Sequence, residues 1–133
     1  MKELTGEIEF STTITIPKQR IADLLDYAFE GGSNYWYIIR EHRYPEGKTV
    51  HDYEFAYLEL PLTEGGALVI DDKEDERGAY SGKILDLAAI KRGLALLNEK
   101  YSIHFADLMS GNEDADTGDV FLQLCLFGEV VFG

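Results

Sequence analysis

Glu30-Gly31-Gly32-Ser33-Asn34-Tyr35-Trp36-Tyr37 is the stretch on which the reading of the fold turns. Just upstream, Ile21, Leu24, Leu25, Ala28 and Phe29 recur at helical spacing, the mark of a helix with one apolar face. The paired glycines end that period. Gly31 stands where a left-handed C-terminal cap is expected, because glycine adopts positive φ without steric cost. A run of aromatics holding the only tryptophan then begins, and the stretch reads as a hinge from helix to strand.

Working outward, the helix covers about residues 18–30 and starts after Pro17, a residue acceptable in a first helical turn. Before it, Ile8, Phe10, Ile14 and Ile16 alternate with Glu7, Glu9, Ser11, Thr13 and Thr15, with Thr12 filling the gap. Period two with β-branched enrichment predicts a strand over 6–16 with one wet face. Beyond the hinge, 35–43 reads as a strand running from core to solvent, and Tyr44-Pro45-Glu46-Gly47-Lys48 as a turn. Residues 53–60 read as a strand, with a short helix as the alternative, and 67–70 as a buried strand. The acidic run 71–78 closes that strand and opens a loop, read as a solvated turn with a cation site at the strand end as the alternative.

Asp86 is a good N-cap for a helix over 87–100, with Leu85 placed to staple against Ile90 and a stripe of Leu87, Ile90, Leu94, Leu97 and Tyr101. Gly93 inside it costs about 1 kcal/mol relative to alanine, which implies close backbone packing. Residues 103–106 are taken as a short strand. Asp116 caps a last helix over 117–127 that Gly128 ends, with Asp119 favoured by the helix dipole. Gln123 is the only polar residue beyond its first turn, so that helix should be buried on most sides. The expected fold is a single α+β domain, an antiparallel or mixed sheet of four to five strands with three helices. The tail Val130-Val131-Phe132 is expected to pack as an edge strand or at a homo-oligomer interface.

With 133 residues, 25 acidic and 12 basic, the chain carries a formal net charge of −13. The basic residues are scattered, whereas phosphate neutralisation needs them clustered, so direct nucleic-acid binding is not expected. No apolar run nears the roughly 20 residues of a membrane span, and no leader pattern is read at the N-terminus. Cys125 lies in an apolar run and reads as a buried thiol in a reducing cytoplasm. His42, His51 and His104 have no metal-ligand spacing. Asp114 and Asp116 alternate as in a calcium loop but lack its glycine and distal glutamate. No catalytic residue, metal or cofactor is assigned.

What remains is aromatic. Tyr35, Tyr37, Tyr53, Phe55 and Tyr57 fall in two adjacent strand candidates, whose pairing would gather them into a patch suited to a protein interface or a stacking pocket. Trp36, pointing the other way by alternation, is assigned to the core. A pocket for a small nucleotide-like ligand would draw on Arg40 and Arg43, while the acidic surface would suit a basic protein partner. A small enzyme of unknown reaction is the remaining alternative.

The segments Ala28-Phe29-Glu30-Gly31-Gly32, Tyr35-Trp36, Gly65-Gly66-Ala67-Leu68, Asp114-Ala115-Asp116 and Leu126-Phe127-Gly128-Glu129-Val130-Val131-Phe132-Gly133 resemble those of a group of small uncharacterised phage and prophage-encoded proteins. The matching pieces span most of the chain. The resemblance implies an accessory protein acting in the bacterial host cytoplasm, binding a host factor to oppose defence or alter regulation. It carries over no site residue.

Overall fold

The computed structural model describes residues 2–133. Its elements run α1 (Lys18–Tyr27), β1 (Tyr37–Arg43), α2 (Ala56–Glu59), β2 (Ala67–Asp72), β3 (Lys83–Leu85), α3 (Leu87–Lys100), α4 (Ser102–Ser110) and α5 (Ala115–Phe127). The architecture is α+β, with five α-helices and one three-stranded antiparallel sheet in the order β1-β2-β3. The expected three helices and four to five strands are corrected accordingly.

Three expected strands are not strands. Residues 7–15 form no strand, helix or turn and pair with nothing among the described residues, with Ile8 92% and Phe10 86% exposed. Their alternating pattern describes a half-buried strand, and no ladder within this chain receives it. Residues 53–60 instead turn into α2 and a short 3-10 turn over Leu60–Leu62. Glu59 reaches back to accept from the Phe55 N–H at 2.6 Å, so the local helical bonds win over alternation. Residues 103–106 lie inside α4, which buries Leu108 and half-buries Phe105. Conversely β3, formed by Lys83-Ile84-Leu85, follows a loop too short on pattern to be read from sequence.

The hinge is a helix-to-strand junction, but Gly31 is not a left-handed cap. Both glycines have negative φ, and Ala28–Gly32 continues α1 as one π-turn closed by Ser33 N–H to the Ala28 carbonyl at 2.8 Å. Gly32 is required by proximity, since a Cβ there would stand 2.0 Å from the Ala115 carbonyl oxygen at the start of α5, whereas one on Gly31 would only touch the Ala115 side chain at 3.8 Å. Gly93 of α3 answers the same need further along α5, where an added Cβ would meet Cys125 Sγ at 2.2 Å.

Helix α5 is thus the central pillar, buried from Phe121 to Leu126 and touched closely by α1 and α3. Its cap is Asp114, whose carboxylate accepts from the Thr117 N–H at 2.9 Å; Asp116 lies in the first turn and is not the cap. Helix α3 matches its expected span, with Asp86 accepting from the Ala89 N–H at 3.0 Å and both Leu85 and Ile90 in the core. On the sheet, β2 is buried over Ala67–Asp71 as a central strand between two partners. Among the described residues, no helix is long and apolar enough to cross a membrane.

Candidate functional site

One carboxylate organises the surroundings of the hinge. Asp119 on α5 accepts at Oδ1 from Ser33 Oγ (2.8 Å), Trp36 Nε1 (2.8 Å) and Gln123 Nε2 (3.1 Å), and at Oδ2 from the Tyr35 hydroxyl (2.7 Å). Ser33, Trp36 and Gln123 are buried, and a buried donor without an acceptor costs about 1–3 kcal/mol. Gln123 extends the network to the C-terminal tail: its Oε1 accepts from the Val131 and Phe132 N–H groups at 2.7 Å each, and its Nε2 donates to the Phe132 carbonyl at 3.1 Å. The Phe132 ring stacks on Trp36 at 5.0 Å and 13°. The tail therefore packs on its own core through Gln123, and is not an edge strand of the sheet.

The aromatic residues singled out from sequence do not form one patch. Tyr35 is half-exposed and tied to Asp119. Tyr37 donates to the Phe29 carbonyl at 2.6 Å, and Tyr57 donates to Glu30 at 3.1 Å; their rings flank Phe29 at 5.1 and 6.0 Å. Tyr53 packs on Tyr44 at 5.8 Å, and Phe55 is exposed alone. The gathering by paired strands fails because 53–60 is not a strand. Arg40, at the bulge in β1, faces the buried Asp71 at 3.6 Å, and Arg43 faces Glu41 at 3.3 Å. Burial, then the Asp119 hydrogen bond, pushes the Tyr35 hydroxyl up to about 12. Burial pushes Tyr37 and Tyr57 to about 12 as well, reinforced by the negative charge of Glu30. All three are neutral donors at physiological pH.

The feature that sequence inspection missed is a groove of about 470 Å³ between α1 with its π-turn and the start of α5, lined by Asp23, Asp26, Tyr27, Glu30 and Glu113. The α1 spacing of Asp23, Asp26 and Glu30 at three and four residues was the legible signal, since such positions share a helix face. Glu113 comes from the loop before α5, and only the fold brings it there. Its partner is Arg20 at 3.3 Å; among the described residues the other three carboxylates face no basic side chain within ion-pair distance. Asp23 accepts from Gln19 at 2.9 Å, and Tyr57 bridges Glu30 and Asp26 at 3.1 and 3.5 Å. Among the described residues the acidic groups do not converge on one point as metal ligands would. The groove offers a row of separate acceptors with a half-exposed tyrosine ring, Tyr27, beside them.

Comparison with protein-family profiles, curated proteins and solved structures finds no match for the chain.

Proposed function

We propose that this chain is a noncatalytic binding protein, a phage accessory protein in setting, that blocks or sequesters a host factor by holding a basic segment of it in the acidic groove. The observation that carries the reading is where the carboxylates sit. Asp114 and Asp116 lie at the start of α5, where the helix dipole stabilises negative charge. Glu30 lies at the opposite kind of place, the π-turn that ends α1, and Asp26 lies one turn before it; neither turn holds a basic residue. Acid at such an end costs Glu30 about 0.3–1 kcal/mol, and Asp26 is crowded by Asp23 three residues before and Glu30 four after, at about 0.2–0.5 kcal/mol per like-charged pair.

Among the described residues the Asp26 and Glu30 carboxylates accept from the Tyr57 hydroxyl, at 3.5 and 3.1 Å, a neutral donor that offsets no charge, whereas a Lys- or Arg-rich partner would neutralise them by charge-assisted bonds. Tyr27 adds a ring face on which a guanidinium can lie. The phage setting and the counter-defence role rest on the sequence resemblance. Capture from host lysate at low salt, repeated at high salt, tests the reading. A specific protein retained at low salt and released as salt rises supports it, because steering between exposed charges is screened over about 10 Å at 0.1 M. No specific protein in either condition overturns it.

A further inference from the structure

The N-terminal arm is a strand without a sheet. From Glu7 to Thr15 it runs without helix, turn or bend, its odd positions are polar, and its even positions carry Ile8, Phe10, Thr12, Ile14 and Ile16. Ile14 and Ile16 root it against the body, where they line a groove of about 270 Å³ shared with Leu94, Ala95 and Phe105 of α3 and α4. Ile8 and Phe10 belong to the same row but hang in solvent at 92% and 86% exposure. Both stand clear of that groove. At about 3.4 Å per residue an extended chain carries Ile8 about 27 Å from Ile16, and the intervening Glu9-Phe10-Ser11-Thr12-Thr13-Ile14-Thr15 holds no Gly, Pro, Asn or Asp to make a tight turn.

The arm is, however, complementary to itself. About Thr12 its pattern is a palindrome: Phe10 mirrors Ile14, Ile8 mirrors Ile16, Ser11 mirrors Thr13 and Glu9 mirrors Thr15. We propose that the arm's partner is a second copy of this chain, with residues 8–16 of two copies pairing antiparallel about a two-fold axis at Thr12. Residues directly opposite in an antiparallel pair share a face. The partner's Phe10 then arrives beside Ile14 and its Ile8 beside Ile16, over the unfilled groove that Ile14 and Ile16 already line. No carboxylate meets a carboxylate, since Glu9 falls across from Thr15 and Glu7 from Pro17. The contact is isologous and closes at two copies. It satisfies the unpaired backbone of the arm, and explains why a sequence written as a half-buried strand finds no ladder within its own chain.

Sedimentation equilibrium of the full chain, with a disulfide test of register, decides the matter. The expected result is a dimer that becomes a monomer on deletion of residues 1–11 or on Phe10→Asp, a change at an exposed position that leaves the helical circular dichroism unaltered. Thr12→Cys should cross-link two copies on mild oxidation. Glu9→Cys should not, because its counterpart lies six residues along the pair, about 20 Å away. Cys125 is buried and does not interfere. A monomeric wild type, a dimer that survives Phe10→Asp, or cross-linking of Glu9→Cys as readily as Thr12→Cys would each overturn the proposal.

Discussion

Asp119 serves four donors from two distant parts of the chain, and the residues around it show how unequal acidic side chains are in this protein. Asp114 and Asp116 make the sharpest contrast. The Asp114 carboxyl is held below the usual carboxylate range, first by the Thr117 backbone N–H and then by the Thr117 hydroxyl, with partial burial opposing. It is the working cap, so Asp114→Ala should lower unfolding free energy by about 1 kcal/mol in urea titrations. Asp116→Ala, which removes only a first-turn charge, should change it by about 0.5 kcal/mol or less. Equal losses would mean that the cap is shared. The sequence places both residues at the right helix end, but choosing between neighbouring aspartates depends on where α5 meets the loop, which residue type alone does not encode.

At the scale of elements, legibility followed local cause. Helix α1 was readable from its periodicity, without a capping side chain at its start, and α3 because periodicity, the Asp86 cap and the Leu85 and Ile90 pair all point the same way; β2 was readable because a short apolar run bounded by Gly66 and Asp71 has one reading. Alternation misled at 53–60 and 103–106, where short segments are decided by hydrogen bonds to nearby groups and by what they lie against. The close approach of Gly93 to α5 was readable as a cost that needed a reason. The real task of Gly32 was not, because its reason, the Ala115 carbonyl, is more than eighty residues away. Gln123 stood out as a polar residue on an apolar helix, and its partners proved to be Asp119 and the tail. Deleting residues 129–133 removes the Phe132 stack on Trp36 and strands the buried Gln123 oxygen. The expected outcome is a loss of about 3–5 kcal/mol, of the order seen for removing a large buried aromatic, with red-shifted Trp36 emission. Unchanged stability and emission would show that the tail is an accessory and not part of the core.

At the scale of the whole molecule, charge governs two behaviours. The first is alkaline unfolding. Tyr35, Tyr37 and Tyr57 ionise near 12 in the fold against 10.0 for the free group. A raised folded pKa means that the neutral form is favoured, so the contribution of these groups is fully present below about pH 10 and is lost as pH rises toward 12. Tyrosinate absorbance should show a fraction of the eight tyrosines titrating late, with unfolding midpoints falling over that window. All eight titrating together near pH 10 in folded protein would contradict the bonds drawn here.

The second behaviour is the use of a net charge of −13. Such a field keeps a small protein apart from its own kind in general, and that alone would explain a uniformly acidic surface. It does not explain Asp26, placed on the groove face of α1 between two other carboxylates. The Asp26→Lys variant therefore tests the account most directly, with binding of the captured host protein measured beside wild type at one salt concentration. The account predicts a chain about as stable as wild type, the relief of two like-charge pairs at about 0.2–0.5 kcal/mol each set against loss of the long Tyr57 contact, that binds the partner about tenfold or more weakly. Undiminished binding by a stably folded Asp26→Lys chain would contradict it.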